Sequence, residues 1–273
     1  MPACRKFLLL ILPCLFLLGA CSTSEEDVQI EEPVETIYSK GQIALQEERY
    51  REATKFFDEV ERQHPYSQWA TRAQLMSAYS SYEGEMYDEA VIALDRFIEL
   101  HPGHKDVAYA HYLKALCYYE QISDVRRDQE LTKEAMRALD TLVKRFPGTE
   151  YARDAQLKLD LARDHLAGKE MEVGRYYLNR GHVNAAINRF RMVVVNYQTT
   201  THIPEALHRL VESYLTLGLK KEASRVAAVL GYNYPGSKWY ERSYALLDDQ
   251  QRAEIIADRG IVDRTIDSIF KPE

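Results

Sequence analysis

"AYSSYEGEMYDEAVIALDRFIELHP", residues 78–102, carries the pattern that decides the fold. Counting back from Pro102 as position 32 of a 34-residue helical-hairpin repeat places Ala78 at position 8, Tyr87 at 17, Ala90 at 20 and Leu94 at 24. The spacing has a physical reading. Small residues at positions 8 and 20 let the two helices of a hairpin approach closely. A bulky residue at 24 fills the space between neighbouring hairpins. Proline ends the second helix, because it lacks an amide donor and clashes with the preceding turn.

The same register recurs along the chain. His64-Pro65, His101-Pro102, Phe146-Pro147 and Tyr234-Pro235 each end an amphipathic stretch. With Pro65 at position 32, the first unit has Gly41 at 8, Tyr50 at 17, Ala53 at 20 and Phe57 at 24. The third has Ala115 at 8, Tyr118 at 11, Ala135 at 20 and Leu139 at 24, with eight extra residues inside "QISDVRRDQELTK". The fourth has Gly174, Tyr177, Gly181, Ala186 and Phe190, with Gln198 where proline stands elsewhere. The fifth has Tyr214, Gly218, Ala223 and Pro235. The spacing predicts an all-α fold: an α-solenoid of about five tetratricopeptide-like hairpins plus a C-terminal helix, rather than a bundle with chance prolines. One such hairpin cannot bury its apolar face, whereas a stack can.

Working outward, residues 35–147 are expected to hold repeats one to three, and 148–237 an extra or lengthened helix with repeats four and five. Residues 238–273 are expected to form a C-terminal helix and tail, the helix acting as a cap. The charged insertion near residues 122–133 reads as an exposed loop.

The first twenty residues differ in kind. Arg5 and Lys6 precede an apolar run from Phe7 to Leu18. That run is short of the roughly 20 residues a membrane-spanning helix needs, and it fits the apolar core of a secretory signal peptide. Leu18-Gly19-Ala20-Cys21 resembles a bacterial lipobox, in which cleavage falls before the cysteine and an N-acyl diglyceride is attached to Cys21. The other reading is an ordinary signal peptide with a cysteine beside its cut. Two or more acyl chains anchor a protein stably where one does not. Ser22, in place of the Asp that often marks inner-membrane retention, favours the outer membrane by that resemblance. Residues 21–34 then form a lipidated flexible tether, polar and acidic.

Taking Arg5 and Lys6 from the 35 basic residues leaves 33 against 42 acidic ones, a formal charge of −9 for residues 21–273. That balance argues against a nucleic-acid footprint. Of four cysteines, Cys4 and Cys14 leave with the leader and Cys21 takes lipid. Cys117 alone remains, so no internal disulfide is possible, and its apolar run marks it as a small buried hydrophobe. His101, His104 and His111 come close to a metal set, but no carboxylate or thiol completes it. No catalytic constellation stands out, so neither an enzyme nor a cofactor is expected.

"RFIELHPGHKDVAYAHYLKALCYYEQI", "RRDQELTKEA" and "RYYLNRGHVNAAINRF" resemble the BamD family of outer-membrane lipoproteins, over nearly all of the chain after Cys21. Ala115 departs from the glycine usual in the family, a tolerable change where only smallness is required. The resemblance implies a non-enzymatic scaffold on the periplasmic face of the outer membrane. It would bind unfolded outer-membrane β-barrel proteins and couple them to BamA, the barrel-forming partner, beside other assembly lipoproteins. A repeat lipoprotein serving secretin assembly or cell division is the rival reading.

In this architecture the first helix of each hairpin lines a groove. Its inward positions give Tyr38, Arg72, Leu75, Tyr79, Tyr82, Tyr109, Tyr112 and Tyr119, an aromatic set with one cation near its start. Tyrosine supplies contact area at low entropy cost and a hydroxyl for backbone groups, which suits an extended peptide with alternating aromatics. Asn188 and Arg189, in the family-like "INRF", are expected to meet BamA. Arginine favours bidentate interface pairs, and an internal salt bridge is the alternative for Arg189.

Overall fold

A computed structural model describes residues 32–257, 260–262, 264 and 265. The expected leader, Cys21 and the tether up to residue 31 lie outside the described residues, as do residues 266–273. Among the described residues the regular structure is helical throughout. Helices α1 (Val34–Gln46) and α2 (Tyr50–Gln63) form the first hairpin, and α3 (Gln68–Glu83) and α4 (Tyr87–Leu100) the second. The third pairs α5 (Val107–Tyr119) with α6 (Glu130–Arg145). Helix α7 (Glu150–Asn179) is followed by α8 (Val183–Asn196), α9 (Ile203–Thr216), α10 (Lys220–Asn233), α11 (Lys238–Leu246) and α12 (Asp249–Ala257).

Each helix from α1 to α10 packs on the next in sequence, α12 packs back on α10, and α1 also touches α3, α3 touches α5 and α5 touches α7. The first helices of successive hairpins thus form a continuous inner wall. The core is divided accordingly. One cluster centres on Phe57, one on Leu94 and Phe97, one on Leu139 and Leu142, and the largest spans Ala167 to Leu247. Such stacked, locally packed units are what a solenoid requires.

Positions 8 and 24 of each hairpin are buried in the same core, and their volumes compensate. Gly41 faces Phe57, and Gly174 faces Phe190. Ala78 shares a buried cluster with Leu94, Ala115 with Leu139, and Val211 with Ala227. Glycine goes with phenylalanine, alanine with leucine, and valine with alanine. The departure at Ala115 is therefore matched by a smaller partner in the opposite helix.

The helix ends follow equally local rules. Ser67, Thr149 and Ser237 cap α3, α7 and α11, each side chain accepting from the amide three residues on at 3.1–3.2 Å; such caps contribute about 1 kcal/mol. The short turn inside every hairpin but the third, which carries the insertion, uses a left-handed residue. Gly181 and Gly218 supply it at φ 76° and 75°, whereas Glu48 and Glu85 are held at φ 58° and 56°.

The stretch 148–168, longer than the repeat requires, is helical from Glu150 onward and joins the first helix of the fourth unit in one 30-residue helix, α7. Beyond residue 238 the chain forms α11 and then, after Leu247 and Asp248, restarts as α12. Asp248 causes the restart. Its carboxylate accepts from the Gln251 amide at 2.8 Å, and its own amide donates to the Gln251 side chain at 3.1 Å, a reciprocal capping box.

Candidate peptide-binding groove

The inner wall of the first three hairpins carries a band of half-buried tyrosines. Tyr79 and Tyr82 come from α3, and Tyr109 and Tyr112 from α5. Tyr151, from the first turn of α7, closes the band, with ring centroids 5.5 Å from Tyr109 and 5.4 Å from Tyr112. The Tyr112 hydroxyl donates to Asp154 Oδ2 at 2.6 Å. Lys158 reaches Asp154 at 3.1 Å and stands 5.5 Å from the Tyr119 ring centre. Tyr112, Asp154, Lys158 and Tyr119 thus form one chain of contacts along α5 and α7.

Burial raises the pKa of Tyr79, Tyr82, Tyr109 and Tyr112, to about 12 for Tyr82. A hydrogen bond to Glu83 adds to the rise at Tyr79, and the Asp154 carboxylate adds to it at Tyr112. These hydroxyls therefore stay protonated donors at any physiological pH, beside an acceptor-rich edge of Glu83, Glu120 and Asp154. Asp154 in turn is held below the usual carboxylate range, first by the Tyr112 hydroxyl and then by Lys158. The band runs into a recess of about 640 Å³ between the insertion loop and α7, lined by Tyr119, Ile122, Val125, Leu161, His165 and His202. Leu161 is 60% exposed there.

Of the other expected groove residues, Leu75 packs with Tyr79, Tyr82 and Tyr109 on one core, whereas Tyr38 and Arg72 sit together by the first hairpin. Tyr38 is only 4% exposed. Its ring meets Phe57 edge-on at 5.3 Å and Trp69 at 4.8 Å, so it is core of the first hairpin and offers a ligand almost no surface. Arg72 is exposed and close enough to Tyr38 for its charge to oppose the rise in that hydroxyl's pKa. Leu75 packs partly buried against the second hairpin's core. Tyr151, Asp154 and Lys158 escape the repeat register because α7 interrupts it. A signal existed: Thr149-Glu150-Tyr151 repeats the start of α3, Ser67-Gln68-Trp69, and of α11, Ser237-Lys238-Trp239.

On α8, Asn188 is exposed, and Arg189 donates to Glu170 of α7 at 2.9 Å. The internal pair is thus formed. His101, His104 and His111 are absorbed by packing. His101 bonds Gln74 at 2.9 Å and stacks with Phe97, His104 also meets Phe97, and His111 lies against Phe146. Among the described residues no group of three or more His, Cys, Asp or Glu is placed to hold a metal ion. Cys117 is fully buried, and burial pushes its thiol up to about 12.

Residues 30–230 match the YfiO family, described as an outer membrane lipoprotein. The chain belongs to that family, known also as BamD. The outer membrane protein assembly factor BamD of Caulobacter vibrioides is 55% identical over 219 residues, covering 80% of this chain and 72% of that protein. Its namesake in Rickettsia prowazekii is 47% identical over 246 residues, covering 90% and 98%. That of Neisseria meningitidis is 34% identical over 254 residues, covering 88% and 95%. The family match spans the tyrosine band, the recess and α8, so these features lie within the shared part of the BamD fold.

Proposed function

We propose that this chain is an outer-membrane protein assembly factor. It acts as a scaffold that holds unfolded β-barrel proteins in its N-terminal groove and couples them, through its C-terminal half, to a BamA-like barrel protein. The observation that carries the groove assignment is the band formed by Tyr79, Tyr82, Tyr109, Tyr112 and Tyr151. Large aromatic faces left half-open along one inner wall, with protonated hydroxyls, suit an extended chain with aromatic side chains on alternate positions. Asn188 and the α8 surface are assigned to the barrel partner, and other assembly lipoproteins would join the same complex. Cys21 is assigned as the lipidated residue that keeps the scaffold on the periplasmic face of the outer membrane.

The test is direct. Tyr79→Ala with Tyr112→Ala should weaken binding of a peptide copied from a barrel protein's last strand at least tenfold. The Tyr112→Phe variant, which keeps the ring but loses the hydroxyl's bond to Asp154, should fall between the parent chain and the double variant. Unchanged affinity in the double variant, with an unchanged helical spectrum, removes the groove assignment. Absence of a BamA-like protein after co-purification from detergent-solubilised envelopes removes the scaffold assignment.

A further inference from the structure

The C-terminal half has its own aromatic site, built on charge. Trp239, in the first turn of α11, is partly exposed and has three cations around its ring. Arg209 lies 5.7 Å from the ring centre, and Lys238 and Arg242 each lie 5.1 Å away. The indole is held from behind by His208 of α9, 5.2 Å between ring centres. His208 is buried, with Nδ1 2.8 Å from the Ser243 hydroxyl. Burial also lowers its pKa, so it adds no charge of its own at neutral pH.

The neighbouring inner wall is different. Arg175 is paired with Glu172 at 3.0 Å and with Glu205 at 3.2 Å. Arg209 is paired with Glu212 at 2.8 Å, and its buried Nε lies 3.5 Å from Glu205, an ion pair without hydrogen-bond geometry. Lys238 and Arg242 have no carboxylate within ion-pair distance among the described residues. Both are exposed. An exposed cation over an aromatic face gains only about 0.5–1 kcal/mol, and two unpaired cations sharing one indole repel each other.

We propose that Trp239, Lys238 and Arg242 form a docking point for an acidic segment of a partner polypeptide. A carboxylate between the two cations would take charge-assisted hydrogen bonds from both, the guanidinium of Arg242 offering its two-pronged edge. Trp239 would supply the apolar contact that tryptophan and arginine characteristically concentrate at interfaces. A polypeptide fits better than an anionic membrane. Trp239 is packed against the core and cannot enter a bilayer. Glu205, Glu212 and Glu241 nearby also leave the wider surface without the basic excess that draws a protein to lipid headgroups. The inference does not depend on the peptide groove of the N-terminal half.

The chain has two tryptophans, Trp69 and Trp239, so the Trp69→Phe variant of the full chain makes Trp239 the sole indole reporter. Titration with a terminally blocked hexaglutamate peptide should give a saturable change in Trp239 emission, and hexaglutamine should give none. Lys238→Gln with Arg242→Gln should weaken hexaglutamate binding at least tenfold. The charge-matched pair Lys221→Gln with Arg225→Gln, on α10, should keep affinity within twofold. The proposal is overturned if hexaglutamate leaves the emission unchanged, or if both paired variants lose affinity equally. It is overturned equally if phosphatidylglycerol vesicles elicit the response and the peptide does not.

Discussion

The Gly174–Phe190 contact offers a sharp test of how the hairpins are specified. A Cβ added at Gly174 would lie 2.4 Å from Phe190 Cε1, 2.8 Å from Cδ1 and 2.9 Å from Cζ. Carbon atoms prefer 3.5–4.0 Å, so the ring or the helix must move by roughly 1 Å. Phe190 is fully buried and has no room to retreat. Overpacking of this kind costs about 1–3 kcal/mol, and the upper end applies where three ring atoms are struck at once. Replacing a helical glycine by alanine returns about 1 kcal/mol of propensity. Gly174→Ala should therefore destabilise by about 2 kcal/mol. Phe190→Leu alone leaves a void where the ring edge was. It should cost about 1–2 kcal/mol, below the 3–5 of a full Phe→Ala truncation. The double variant recreates the alanine–leucine pair already present as Ala78 with Leu94 and Ala115 with Leu139. It should cost about 1 kcal/mol rather than the additive sum of roughly 3.5, a coupling of about 2.5 kcal/mol within the range seen for touching residues. Urea denaturation followed by helical circular dichroism measures all four corners of the cycle, and an unchanged m-value permits the free energies to be compared. Additivity within about 0.5 kcal/mol would refute the volume-compensation argument, because each substitution would then act as if the other side chain were absent.

Other outcomes follow from equally local features. Glu85→Gly should raise stability by about 0.5–1 kcal/mol, since a left-handed non-glycine residue costs about 1–2 kcal/mol and glycine's extra unfolded-state entropy offsets only part of that; a lower melting temperature would argue against strain at this turn. His208, His101 and His111 all have folded-state pKa values lowered by burial, below the unfolded value near 6.5. The unfolded chain then binds more protons on acidification, so stability should fall as pH drops below about 6.5. The His208→Gln variant should show a shallower fall in melting temperature between pH 7.5 and 5.5 than the parent chain, and an equal slope would exclude His208 as a contributor. Because Arg189 is paired internally with Glu170, the two roles open to it separate by mutation. Arg189→Ala should weaken co-purification of the barrel partner while Glu170→Ala leaves it intact; equal loss in both would assign Arg189 a structural role only.

What the sequence made legible, and what it hid, divides along the range of the interactions. The hairpin register depends on residues 16 positions apart that meet in one unit, so small-against-large pairs such as Gly41 and Phe57 announce themselves. Even the missing proline at Gln198 does no harm. Tyr197 before it takes φ −129° and ψ 45°, close to the −129° and 53° of His101 before Pro102, so hairpin packing ends the helix and proline only agrees with it. Helical phase, by contrast, states which way a residue points and not what covers it. Tyr38 has the inward phase but is roofed by Trp69 from the next hairpin. Arg189 finds a carboxylate nineteen residues earlier, on the preceding helix. Tyr151 was masked because α7 fuses two segments that the repeat counts separately. These three placements share one cause. Burial on the inner wall is decided by the neighbouring unit, so a groove in a solenoid is a property of pairs of hairpins. The consequence for binding is specific. Tyr109 and Tyr112 face Tyr151 across the α5–α7 junction, so the surface offered to a ligand is set by how α7 continues the stack. Substitutions at that junction, including Asp154→Asn, should therefore alter peptide affinity through the orientation of Tyr112 even where Asp154 itself meets no ligand.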